Sequence, residues 1–247
     1  MEWRERDGVR WLEAELARGR AAFSARTGGV SEPPYDSLNL AVLTGDRRDD
    51  VRHNRHRLAA ALALDPGDVL IGRQVHGAAI ARHESASEPS AFADPGPDLP
   101  EVDAEVTGTP GLAPLVMVAD CLPVALSGSR GVAMLHCGWR GLAAGIVERG
   151  AREVDAEAAA VGPGIGPCCY EVGDEVLEAF ADLGNGVASG RMLDLREVVR
   201  RLLERAGVER IEVSELCTSC EPELFFSHRR DGGDTGRQAG VAWIAEG

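Results

Sequence analysis

Between Leu112 and Leu135 three apolar runs follow one another with only short breaks: LAPLVMVA (112–119), LPVAL (122–126) and GVAML (131–135). Runs this short, bounded by turn residues, read as buried strands rather than as helices. They predict the centre of a covered sheet. Two histidines and a cysteine sit at the ends of such segments. Cys121 falls between the first two runs, His136 directly follows the third, and His76 lies between predicted strands at 69–75 and 78–82. That placement predicts a shared mouth at strand ends.

The flanking chain alternates strands and helices only loosely. RAAFSAR (20–26) reads as a strand, followed by a long Gly-, Pro- and Ser-rich loop, TGGVSEPPYDSLNLA. A helix is predicted from Asp49 to Leu64, opened by aspartates and closed by Asp-Pro-Gly. Residues 84–100, with four prolines, read as a mobile loop. After HCGWRG (136–141) the spacing of LAAGIVERGAREV predicts one helix, which makes that segment a strand-to-helix turn. Next come a strand at AAAVG, a turn at GPGIGP, helices at 174–183 and 195–206, a strand at IEVSEL, a short helix near 222–226 and a closing strand, GVAWIA. GPGIGP is no dinucleotide fingerprint, because Pro163 and Pro167 lack the amide donors that would face a pyrophosphate. The pattern predicts a mixed α/β (α+β) fold, one domain over 1–247, without repeats.

Composition narrows the function. The formal net charge is −14 and the basic residues are all arginine, scattered rather than clustered. Such a surface repels nucleic acid and anionic lipid at long range, so neither is an expected partner. An anionic substrate would need local arginines. The first residues, MEWRERDGVRWLEAEL, contain no apolar core of a signal peptide, and no run approaches about 18 apolar residues. A cytoplasmic protein with free thiols is expected.

His76, Cys121 and His136 stand in the motifs QVHG, ADC and HCGWRG. Two imidazoles and a thiolate are a borderline-soft donor set that suits zinc, and three protein ligands leave a fourth tetrahedral position for water or substrate. Their wide spacing excludes a local finger. Arg140, at the predicted helix start, adds a charge where amide N–H groups would meet phosphate. Arg26 and the amides of Gly28 and Gly29 are further phosphate candidates; Asn39 is placed either on ribose hydroxyls or in closing its own loop. Asp120 is a candidate to orient a ligand histidine. Cys217 and Cys220 form a single C-x-x-C that reads equally as packed thiols or half a zinc site. Cys168 and Cys169 are vicinal. In extended chain they would face opposite sides, so a structural role is expected.

TGGVS (27–31), SLNLA (37–41), NR (54–55), QVHG (74–77), DAEVT (103–107), ADCLPV (119–124), HCGWRG (136–141), IGPCCYEVG (165–173) and FFSHRRDG (225–232) occur in the order seen in the YfiH-like laccase-domain family. From about Ala21 onward the chain resembles that family. The resemblance implies a central β-sandwich flanked by helices, distantly shared with deamidating toxins that use a Cys-His pair. It also implies zinc on His76, Cys121 and His136, and purine nucleoside phosphorylase activity with adenosine deamination; older descriptions of the family name multicopper polyphenol oxidoreductases. Cys137 and Leu142 depart from the family's usual Ala and Thr, and Cys220 belongs to no family motif.

Beyond the trio only His53, His56, His83 and His228 remain, too few for a blue site plus a trinuclear copper cluster. Copper binding at the trio is an adventitious or alternative possibility. The expected activity is zinc-dependent phosphorolysis of a purine nucleoside (adenosine, inosine, guanosine or methylthioadenosine) by phosphate, with adenosine deaminase activity, in a monomer or homodimer. The competing readings are a Cys121–His136 hydrolase acting on an amide or peptidoglycan precursor, a copper-binding polyphenol oxidase, and a metal-binding protein without turnover.

Overall fold

The computed structural model describes residues 1–86, 89–96 and 99–245. One six-stranded sheet runs in the order β1 (Glu2–Arg6), β2 (Val9–Leu16), β3 (Gly19–Ser24), β14 (Gln238–Trp243), β7 (Ala113–Val118) and β4 (Val69–Leu70). The other runs β13 (Arg210–Val213), β10 (Ala156–Val161), β8 (Leu122–Gly128), β9 (Gly131–Cys137), β6 (Ala104–Thr107) and β5 (Ile80–His83). Both are mixed: β10 pairs in parallel with β13 and β5 with β6, while β6, β8, β9 and β10 otherwise join antiparallel. A small ladder of β11 (Ala188–Ser189) and β12 (Met192–Leu193) stands apart.

The sheets pack face to face. Leu12, Phe23, Val116 and Ala242 of the first meet Ala125, Val132, Met134 and Ala160 of the second in one buried cluster. The outer face of the first sheet is covered by α1 (Arg48–Leu62), whose Leu58 and Leu62 join Leu115 and Val241. The outer face of the second carries α3 (Ile146–Val154) and α5 (Leu195–Arg205), whose apolar sides meet Val124, Leu126 and Leu135. Every residue of β8 and β9 is therefore buried, which is why these strands read as unbroken apolar runs. At about 1.5–3 kcal/mol for each large aliphatic side chain taken from water, the two interfaces that enclose these strands make them a firm support for what stands at their ends.

Several expected elements differ. The single helix after HCGWRG is two, α2 (Trp139–Ala143) and α3, separated by Gly145 at φ +83°. That left-handed backbone is cheap for glycine and interrupts the helical hydrogen-bond ladder. The helix expected at 174–183 is α4 (Asp174–Glu178) followed by a 3-10 turn at Ala181–Leu183. Residues 222–226 form turns, not a helix. The loop at 84–100 includes 87–88 and 97–98, which lie outside the described residues. Its middle is docked: Phe92 is buried, and the Arg55 guanidinium donates to the carbonyls of Ala91 and Phe92. No helix among the described residues is long and apolar enough to cross a membrane.

Candidate metal centre

The two sheets end at a common rim, and there the trio converges. One donor atom from each of His76, Cys121 and His136 lies within 4.8 Å of the others, and the two imidazoles meet edge to face with centroids 4.8 Å apart. His136 is the penultimate residue of β9, Cys121 sits in the turn between β7 and β8, and His76 lies in the loop between β4 and β5. His76 and Asp120, the residue preceding Cys121, have φ of +60° and +86°. Such backbone costs about 1–3 kcal/mol in a non-glycine residue and persists only where the surroundings enforce it. Gly138 supplies the clearance: a Cβ there would stand 3.0 Å from both Cys121 Sγ and His76 Cδ2.

Asp103 organises the centre. Its Oδ1 accepts from His136 Nδ1 at 2.8 Å and from the His76 amide at 2.9 Å, while Oδ2 accepts from the amides of Gly77 (2.7 Å) and Val75 (3.2 Å). One buried carboxylate thus fixes the His76 loop and the His136 ring. With Nδ1 engaged, the His136 Nε2 lone pair is turned toward the centre. Burial would raise the Asp103 pKa, but these donors outweigh it and hold the carboxyl below its ordinary range. Register explains the arrangement, since β6 pairs Ala104 with Leu135 and the His136 amide donates to the Asp103 carbonyl at 2.8 Å.

Burial opposes ionisation of Cys121, yet the His136 charge and hydrogen bonds from both histidines pull its thiol down to about 6. His136 is raised in turn, by the charge of Cys121 and by Asp103, against the effect of burial. Each of the two thus favours the charged form of the other, and a metal ion would take the place of the proton they share. Two imidazoles and a thiolate this close fit a cation at about 2.0–2.3 Å from each donor, with one tetrahedral direction free. Cys137 takes no part. It is buried in the core between the second sheet and its helices, facing away as strand alternation expects.

The remaining candidates separate. Asp120 accepts from Thr218 Oγ1 (2.6 Å) and the Arg229 amide (2.7 Å), so it anchors two loops, while the carboxylate that contacts His136 is Asp103. Asn39 closes its own loop: its amide donates to Ala41, Thr44 and Asp46, its oxygen accepts from Ala41 and Arg237, and the side chain has no exposed surface for a ribose. Arg26 is bound to Asp36 and to the Pro222 carbonyl, the Gly29 amide donates to Ser37, and the Gly28 carbonyl accepts from Arg57. These partners tie Arg26, Asn39 and the Gly29 amide into closure of the TGGVS and SLNLA loops. Arg140 is exposed and stacked on Trp139, 4.5 Å from its ring, beside the centre.

Sequence reasoning missed three residues besides Asp103. Tyr170 is mostly buried among the charges of Cys121, Arg229, Asp120 and Arg140, and burial first, then Cys121, pushes its phenol up to about 12. Arg229 lies over the Tyr170 ring at 5.2 Å with Nη1 on the Glu171 carbonyl, and Arg237, which burial pushes below its ordinary pKa against the opposing charge of Cys121 and Asp120, holds the Thr235 and Gly236 carbonyls with Nη1. The motifs IGPCCYEVG and FFSHRRDG contained the first two, but only the fold brings them to the trio.

The chain matches, over residues 20–245, the family described as "Multi-copper polyphenol oxidoreductase laccase". It is 40% identical over 237 residues to "Purine nucleoside phosphorylase YfiH" of Escherichia coli, covering 91% of this chain and 93% of that one. It is 39% identical to "Purine nucleoside phosphorylase YlmD" of Geobacillus stearothermophilus, covering 92% of both. The crystal structure of YlmD from Geobacillus stearothermophilus superposes with a TM-score of 0.88 at 37% identity, over 98% of each chain. The word multi-copper does not describe the residues present: among the described residues, the His/Cys/Asp/Glu groups close enough for a metal are the trio and a cysteine quartet, and neither includes His53, His56, His83 or His228. By the extent of these matches, the chain belongs to the YfiH-like laccase-domain family.

Proposed function

We infer that this protein is a purine nucleoside phosphorylase whose reaction centre is His76, Cys121 and His136, with zinc as the metal. The convergence of three deprotonatable donors on one open point, with Asp103 behind them and arginines around them, carries the reading. Phosphorolysis brings a phosphate oxygen to C1′ as the bond to the purine breaks, and the departing base must be protonated or hydrogen-bonded. Arg140, Arg229 and Arg237 supply cationic donors for phosphate in a chain otherwise strongly acidic. Tyr170 keeps its proton at neutral pH and is the donor available to the base or sugar. When bound, zinc supplies a Lewis acid and an acidified water, which adenosine deamination at C6 requires. Copper is the competing metal, because it binds the same donors more tightly.

Metal-quantified protein incubated with adenosine should release adenine and ribose 1-phosphate only when phosphate is present, and inosine in its absence. Neither product from zinc-loaded protein overturns the reading. One observation favours a second assignment: Cys121, His136 and Asp103 also form a nucleophile, base and orienting carboxylate. A Cys-His hydrolase would survive chelation and lose activity on alkylation of Cys121. The phosphorylase reading expects the reverse, a chelator-sensitive enzyme whose Cys121 is shielded.

A further inference from the structure

Besides Cys137, four cysteines lie outside the centre just described. Cys168 and Cys169 were expected to diverge as in extended chain. They sit instead in a turn that brings both sulfurs to Cys220, at 3.5 and 3.4 Å. With Cys217 they place four Sγ atoms within 4.8 Å of one another. Cysteine used as apolar filler is normally interior, yet Cys168 and Cys220 are exposed and Cys169 is half-buried.

Three observations point to a cation among them. A tetrahedral ion about 2.3 Å from each sulfur separates the sulfurs by about 3.8 Å, a spacing this cluster accommodates without moving either loop far. Cys217 accepts from the Gly166 amide at 3.2 Å, and the Cys220 and Ser219 amides also face it. Third, Arg196 reaches the cluster with its Nε buried and unpartnered. A Cβ at Gly166 would lie 2.8 Å from Arg196 Nη2 and 3.3 Å from Cys168 Sγ, which locates the guanidinium beside the sulfurs. A divalent ion with four thiolates carries two negative charges; the guanidinium beside them spends Nη1 on Glu215 and Nη2 on the Gly164 carbonyl, which leaves Nε to face the cluster.

We propose that Cys168, Cys169, Cys217 and Cys220 form a second metal site, an all-thiolate zinc centre that is structural. Four protein ligands leave no open position, so the site binds no substrate. It clamps two segments more than 50 residues apart, which together form a wall of the reaction centre. Cys169 precedes Tyr170. Thr218, between Cys217 and Cys220, donates to Asp120, and the Asp120 carbonyl accepts from Ile165 at 2.8 Å.

The test is zinc content of the full-length chain, with thiol titration, in the unsubstituted protein, in His76→Ala/Cys121→Ala and in Cys168→Ser/Cys220→Ser. The proposal expects two zinc ions per chain falling to one in each double variant. Cobalt loaded into His76→Ala/Cys121→Ala should show intense thiolate-to-metal charge transfer. Because that variant lacks the catalytic ligands, the result is independent of the phosphorylase assignment. Metal-free His76→Ala/Cys121→Ala protein that stays folded by circular dichroism overturns the proposal. So does a mass two hydrogens lower after non-reducing purification, which marks a disulfide. If Cys168→Ser/Cys220→Ser fails to fold, the metal content and cobalt spectrum of the other variant decide the matter.

Discussion

The trio and the cysteine quartet both gather sulfur and nitrogen donors from distant segments, but they are built for different work. The trio stands at the rim of two central strands buried on every side, and Asp103 fixes two of its three ligands. The quartet stands on turns near the surface, four sulfurs with backbone amides and an arginine around them. One has mixed donors and a free direction; the other is closed. On the proposed assignments, reactivity goes with a missing ligand in a rigid frame and not with cysteine density.

Cys121→Ala should separate the two most sharply. It removes a ligand worth several kcal/mol of transition-state charge stabilisation, so turnover should fall by about 10³-fold or more while zinc in the quartet remains. Steady-state kinetics with metal analysis checks this. Unchanged turnover would refute the centre.

Asp103→Asn should cost about 10–100-fold in activity or metal affinity at the trio and leave the quartet untouched. It also bears on acid stability. Because the folded carboxyl lies below its ordinary value of 3.8, its contribution is complete above that value and is lost as pH falls through the folded-state value. Denaturation followed from pH 6 to 2 should show a shallower acid limb in Asp103→Asn.

Arg229→Ala and Arg237→Ala should raise the KM for phosphate by roughly tenfold each, one lost charge-assisted contact, with less change in KM for nucleoside. The corresponding substitution Arg26→Ala should leave phosphate KM unchanged and lower stability, because Arg26 is committed to Asp36 and Pro222. Cys220→Ser carries the smallest expected effect on chemistry: kcat changes less than about threefold at 25 °C, while Tm falls by roughly 5 °C as the wall loosens.

Much of this was readable before folding. Residues 112–137 announced their strands because both faces are covered, and the trio's motifs placed all three residues at strand ends, where they converge. Asp103 was not readable as an organiser: its role arises from the β6–β9 register and from a loop 26 to 28 residues away closing over it. Asn39 takes the second of its two expected roles, closing its own loop, a choice the sequence leaves open because loop closure and ligand binding use the same small and polar residues. Cys168 and Cys169 misled because side-chain alternation holds only in extended backbone, and theirs turns. The helix after Gly141 was drawn too long because apolar periodicity continues across Gly145 while the backbone does not.

The most direct measurement is phosphorolysis by metal-stripped protein titrated with zinc, followed as ribose 1-phosphate and compared with Cys168→Ser/Cys220→Ser, which retains only the trio. The account predicts that activity in that variant rises linearly with bound zinc and saturates at one equivalent per chain. Full activity before any metal is bound, or a zinc-saturated trio that forms no ribose 1-phosphate, would contradict it.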